Sequence, residues 1–132
     1  MKKTAWKEPY KKVDGKIRTN FRNTYKKSGV YLIKDKKTNK ILYVGGSSNN
    51  VYRTMYRHFQ EWSDKQKRAT YKKFGTKVRV ILGTKNQAYR LERYLTKKLD
   101  PRDIDYKYRQ LELDLKDKKV IDAYKEAENI PF

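Results

Sequence analysis

The stretch that decides the fold runs Gly29-Val30-Tyr31-Leu32-Ile33-Lys34-Asp35-Lys36-Lys37-Thr38-Asn39-Lys40-Ile41-Leu42-Tyr43-Val44-Gly45. Two runs of β-branched, aliphatic and aromatic residues flank a polar segment, Asp35 to Asn39, whose residues favour turns. That pattern predicts a β-hairpin. With Lys34 and Lys40 closing the turn, Tyr31 and Tyr43 stand directly opposite on one face of the ladder. A slip of one residue would send them to opposite faces.

Next comes Gly45-Gly46-Ser47-Ser48-Asn49-Asn50, a small polar loop in which Asn49 or Asn50 can cap a helix. Val51, Met55, Phe59 and Trp62 then recur at steps of three and four, an apolar stripe that predicts a helix from about Val51. A second helix is expected around Lys65–Lys73. Val78, Val80 and Leu82 alternate in a third strand that ends at Gly83. From Asn86 to Leu99, the residues Ala88, Leu91, Leu95 and Leu99 form the clearest helical stripe, and Pro101 stops it. A weaker stripe of Val120, Ile121 and Tyr124 predicts a last helix over Leu115–Asn129. This order suits an α+β fold, a three-stranded antiparallel sheet flanked by helices.

The expected organisation is a basic lead-in arm over residues 1–28, a core over 29–101 and a helical extension over 102–132. The lead-in carries isolated aromatics, Trp6, Tyr10, Phe21 and Tyr25, among lysines and arginines. It is expected to rest a few rings on the domain and otherwise track phosphate.

Composition narrows the function classes. The chain has 132 residues, 35 Lys and Arg against 15 Asp and Glu, and a formal charge of +20. Such an excess attracts polyanions, nucleic acid first among them. It lies wholly before residue 100: residues 100–132 hold 7 basic and 9 acidic residues, so they are not the expected phosphate-facing surface. With no cysteine there is neither a disulfide framework nor a thiolate zinc site. No stretch resembles a signal peptide or a membrane span, and a cytoplasmic setting is the expectation. Only 36% of residues are hydrophobic, so the core must lean on the 12 tyrosines.

Three further residue types invite chemistry. Glu92 falls on the edge of the Ala88–Leu95 stripe, where a carboxylate is costly unless it meets a partner on another element or holds a cation. His58, the single histidine, is either a surface residue or a proton relay, since imidazole titrates near neutrality. Arg53 and Arg57 sit one turn apart on the helix that carries it, and either could present a guanidinium to a phosphate.

Taken together, Gly29-Val30-Tyr31, Tyr43-Val44-Gly45, the basic helix after them and the later glutamate resemble the GIY-YIG nuclease family over residues 29 to 101. The resemblance implies a Mg²⁺-dependent DNA endonuclease, with Mn²⁺ as a substitute metal, acting on duplex DNA. It implies a small stand-alone member of the phage or mobile-element type, cytoplasmic in a bacterial host. On this reading Glu92 is the metal ligand and Tyr31, or Tyr43 through a relay, takes the proton of the attacking water. His58 relays a proton or binds phosphate, and an arginine stabilises charge on phosphorus. Counting from Tyr43 gives Arg53 for that role; helix register puts Thr54 there and leaves Arg57 to supply the cation. Two positions depart from the family pattern. Gly46 stands where lysine is common, with Lys34, Lys36 or Lys40 as substitutes, and Asp103 or Asp105 replaces an asparagine after Pro101. The alternative implied by these departures is a binding module that keeps the fold without cleaving. A homodimer would serve a double-strand cut.

Overall fold

A computed structural model of the protein describes residues 1–21, 26–60 and 69–103. In chain order the elements are β1 (Lys2–Lys3), β2 (Tyr10–Val13), β3 (Lys16–Thr19), β4 (Gly29–Asp35), β5 (Ile41–Ser47), α1 (Val51–Tyr56) with a 3-10 turn (Arg57–Phe59), β6 (Thr76–Leu82) and α2 (Lys85–Leu99). The class is α+β, as expected, but the main sheet has four strands in the order β1-β6-β4-β5, all antiparallel, not three. The extra strand comes from the lead-in. Lys2 and Lys3 pair with Leu82 and Ile81, and Thr4 follows by donating its N–H to Val80 O at 2.8 Å. Two lysines carry no alternation, and it is their backbone that pairs with β6, so no sequence pattern announces this strand.

Further described residues of the lead-in also form regular structure. Strands β2 and β3 form a separate two-stranded ribbon whose turn, Asp14-Gly15, has φ of +52° and +75°. Asp-Gly tolerates this left-handed turn, which matches the twist of the flanking strands. Tyr10 of the ribbon meets Tyr56 and Phe59 edge-on, with ring centroids 5.3 and 5.8 Å apart. The Tyr56 hydroxyl donates to Pro9 O at 2.7 Å and accepts from Phe21 N–H at 3.0 Å.

The β4–β5 register differs from the expected one. Tyr31 lies opposite Gly45, and Tyr43 opposite Ile33, because Lys34 pairs with Ile41 and a bulge follows between Ile33 and Lys34. The shift totals two residues, so the tyrosines are diagonal neighbours that still share a face. Their rings stack at 5.9 Å with 20° between planes. The turn is set by Asp35, whose Oδ2 accepts from the N–H groups of Lys37 and Thr38, and by Asn39 at φ +62°.

Period-two alternation divides the sheet residues between two cores. Tyr31, Ile33, Tyr43, Val78 and Val80 face Val51 and Met55 of α1 and Phe59 of the 3-10 turn. Val30, Leu32, Val44 and Ile81 face the Ala88, Leu91 and Leu95 stripe of α2. Asn50, one of the two expected caps, closes the N-terminus of α1, its side chain accepting from Arg53 N–H at 3.1 Å. A Thr84–Gln87 capping box starts α2. After Pro101 the N–H groups of Arg102 and Asp103 donate to Ile41 and Leu42 carbonyls, covering part of the β5 edge.

Helix α1 is shorter than the stripe predicts, because the chain tightens to 3-10 geometry at Arg57. Trp62 lies outside the described residues. Of the helix expected over Lys65–Lys73, residues 69–73 are not helical and 65–68 lie outside the described residues, as does Leu115–Asn129. Among the described residues no helix is long and apolar enough to cross a membrane.

Candidate active site at the edge of β5

The glycines of the two triplets are positions of close approach. At Gly29 a Cβ would run into the Ile81 carbonyl oxygen of the neighbouring strand. At Gly45 it would overlap Cζ and Oη of Tyr31 and come within 2.7 Å of Tyr43 Cε1. Tyr31 therefore lays its ring over Gly45, a cross-strand position that has no side chain, and it is 1% exposed.

His58, expected either on the surface or at the tyrosine pair, is buried at 3% exposure among the tyrosines. Its Nδ1 lies 2.8 Å from Ala69 O and its Nε2 2.6 Å from Tyr31 Oη. A carbonyl can only accept, so Nδ1 carries a proton, and in the neutral form of the ring the Nε2 lone pair then receives the Tyr31 O–H. The Tyr43 ring packs against the same imidazole, with centroids 4.3 Å apart. Tyr71 adds a further wall at 6.2 Å; its N–H donates to His58 O, and its hydroxyl donates to Asp103 Oδ2 at 2.9 Å. Asp103 is held below the ordinary carboxylate range, because hydrogen bonds from Arg102 and Tyr71 outweigh the effect of burial. Of the two acids after Pro101, Asp103 thus tethers the chain to the site wall; Asp105 lies outside the described residues.

On the other face of the sheet Glu92 is buried, 6% exposed, at the point where α2 passes β5. A Cβ on Gly46 would stand 3.3 Å from Glu92 Oε2. Consecutive strand residues point to opposite faces, and their Cα atoms are about 3.8 Å apart. Gly45 and Gly46 thus let the tyrosine–histidine cluster and the carboxylate approach one strand from its two sides. A cavity of about 350 Å³ opens beside Glu92, lined also by Gly46, Ser47, Ser48, Lys85, Asn86 and Tyr89. The neighbouring Arg93 donates to Tyr89 Oη at 2.6 Å.

Of the arginines, Arg53 is exposed on α1 and Arg57 is half-buried at the start of the 3-10 turn, adjacent in sequence to His58. Thr54 is half-buried and donates its hydroxyl to Asn50 O at 3.0 Å. The three candidate substitute lysines lie apart from the Glu92 cavity. Lys34 caps the Trp6 ring at 4.3 Å, Lys36 pairs with Glu8 at 2.6 Å, and Lys40 is exposed at the far turn.

Sequence reasoning did not foresee the Ala69 carbonyl, since a backbone acceptor has no residue signature. Lys85 and Tyr89 were within reach: they precede Glu92 by seven and three positions, the spacing of one helical face.

The model of the GIY-YIG catalytic domain matches residues 27–109, more than half of the chain. The protein belongs to this family of nucleases. The same comparisons found no curated protein and no solved structure that matches the chain.

Proposed function

We propose that the protein is a Mg²⁺-dependent endonuclease that hydrolyses phosphodiester bonds of duplex DNA. The observation that carries this reading is the directed chain from Tyr31 Oη to His58 Nε2, with His58 Nδ1 fixed on Ala69 O. A phenol is a poor base at neutral pH, and an imidazole lone pair aimed at its proton remedies that. Tyr31 takes a proton from the attacking water while its own proton passes to His58 Nε2. The new P–O bond forms as the bond to the leaving oxygen breaks, and the charge gathered on the phosphate is met by Arg57. Arg57 is favoured over Arg53 because it follows the buried end of α1 and adjoins His58, whereas Arg53 is open to solvent. Tyr43 holds the imidazole face and keeps the relay aligned.

Glu92 fits a hard divalent cation. Its carboxylate is buried beside a cavity from which Gly46 withholds a side chain. Mg²⁺ needs one or two carboxylates and completes its octahedron with water and phosphate oxygens. When bound there, Mg²⁺ supplies Lewis-acid stabilisation of the leaving oxygen.

One observation favours a second reading, a binding module without cleavage: Tyr31 and His58 are 1% and 3% exposed, so the relay is shielded from the water it would activate. Nicking of supercoiled plasmid separates the two readings. Relaxation with Mg²⁺ that stops in chelator supports the nuclease; binding without relaxation in Mg²⁺ or Mn²⁺ supports the module.

A further inference from the structure

Outside the catalytic region, the β2–β3 ribbon carries a concentrated basic excess. Over Tyr10 to Thr19 it carries Lys11, Lys12, Lys16 and Arg18 against one acid, Asp14, which sits in the turn. Register assigns these residues to two faces. Lys11 pairs with Arg18 and Val13 with Lys16, so these four share one face; Tyr10, Lys12, Ile17 and Thr19 share the other. The second face turns toward the body: Tyr10 packs on Tyr56 and Phe59, and Lys12 lies 5.5 Å over the Phe74 ring. The first face is exposed along its whole length.

Two features of the ribbon are unfavourable to the free protein. Lys11 and Arg18 are directly cross-strand, and like charges in that position destabilise a hairpin. Near the tip Val13 on the outward face and Ile17 on the other face are 38% and 48% exposed, although this chain has few apolar residues to spare. The other lead-in acid, Glu8, is already paired with Lys36. A polyanion laid against the ribbon would relieve the first feature, and an apolar surface between its phosphates would relieve the second.

We propose that the β2–β3 ribbon enters the major groove of duplex DNA, with Lys11, Lys16 and Arg18 on the phosphates and the Val13–Ile17 tip against base edges. The dimensions agree. Paired strands lie about 4.8 Å apart, and a two-stranded ribbon with its side chains fits a groove about 12 Å wide but not one about 6 Å wide. Exposed valine and isoleucine suit the thymine methyl groups that only the major groove displays. The ribbon is also held in fixed relation to the catalytic cluster. Its base is pinned by the Tyr56 hydroxyl, two residues before His58, so groove binding sets which phosphate is presented at β5. Only the choice of duplex DNA as ligand rests on the nuclease reading; cleavage itself does not enter.

The test is carried out in chelator, where catalysis plays no part. Binding of a duplex oligonucleotide is measured against salt for the wild type and for the full-length triple variant Lys11→Ala, Lys16→Ala, Arg18→Ala. Each lost phosphate contact lowers the slope of log affinity against log salt by about 0.9, so the expected drop is about 2 to 3. Methylation protection at guanine N7, a major-groove atom, should be present for the wild type and absent for Val13→Ser, Ile17→Ser at saturating protein. Circular dichroism confirms that both variants fold. An unchanged slope in the triple variant, or N7 protection that survives the tip variant, overturns the ribbon proposal and leaves the nuclease reading standing. Wild-type binding to RNA but not to duplex DNA overturns both. Wild-type protein that binds DNA with the expected slope and protection yet fails to cleave supports the ribbon and removes only the nuclease reading.

Discussion

Replacing Tyr56 by phenylalanine removes one buried hydroxyl and tests how the lead-in is fastened to the domain. That oxygen accepts from Phe21 N–H at 3.0 Å and donates to Pro9 O at 2.7 Å. The two partners do not suffer equally. Pro9 O keeps a second donor, Asn20 N–H at 2.9 Å, whereas the described bond of Phe21 N–H is lost. One buried donor left unsatisfied costs about 1–3 kcal/mol. In a chain of this size that lowers Tm by roughly 4–12 °C. The same hydroxyl gives a pH signature. Burial pushes the Tyr56 phenol up to about 12. A raised pKa means that its stabilisation is complete below the unfolded tyrosine value of about 10 and is lost as pH rises through about 12. Thermal melts followed by circular dichroism from pH 7 to 12 should therefore show the wild type losing its advantage over Tyr56→Phe between pH 10 and 12. Equal Tm values at pH 7, or a gap that does not narrow in alkali, would refute the latch.

Gly45→Ala should destabilise the fold by at least the ~1–3 kcal/mol typical of overpacking, because the new methyl overlaps the Tyr31 ring; a denaturant midpoint equal to wild type would contradict this. His58→Ala should lower the single-turnover rate about 10²–10⁴-fold with little change in DNA affinity, as loss of a general-base relay does; equal losses in rate and affinity would make His58 a packing residue. Arg57→Ala should lose cleavage by orders of magnitude and Arg53→Ala should weaken binding slightly, and the reverse pattern would restore the count from Tyr43. Leu95→Ala, deep under the sheet, should cost about 2–5 kcal/mol by urea unfolding without altering the metal requirement.

The residues that fix local structure were legible in the sequence. Alternation marked β4, β5 and β6, the leucine spacing marked α2, and the Asn49-Asn50 pair marked the start of α1, because side-chain period and capping chemistry are local properties. The shared face of Tyr31 and Tyr43 was legible for the same reason, although their register was not. A bulge at Ile33 and the need to seat the Tyr31 ring over Gly45 moved the pairing by two residues, and neither shows until the strands are laid together. The fourth strand was hidden because Lys2 and Lys3 join the sheet through backbone bonds. The ribbon carried a readable signal, Asp14-Gly15 between two short runs, but its lysines masked the strand pattern. At the site, a lone histidine just beyond the buried Met55 and Tyr56 gave no clue to its burial. Only the Ala69 carbonyl and the Tyr31 hydroxyl, brought from distant points of the chain, explain it.

The central claim is that phosphodiester cleavage runs through Tyr31 on one face of β5 and Glu92 on the other. Its most direct test is single-turnover nicking of supercoiled plasmid in Mg²⁺ by wild type, Tyr31→Phe and Glu92→Gln, with DNA affinity measured on the same preparations. Wild type should nick, and both variants should fall at least about 10²-fold in rate while binding as tightly as wild type or tighter. A Tyr31→Phe or Glu92→Gln protein that folds, binds and nicks at the wild-type rate would contradict the claim.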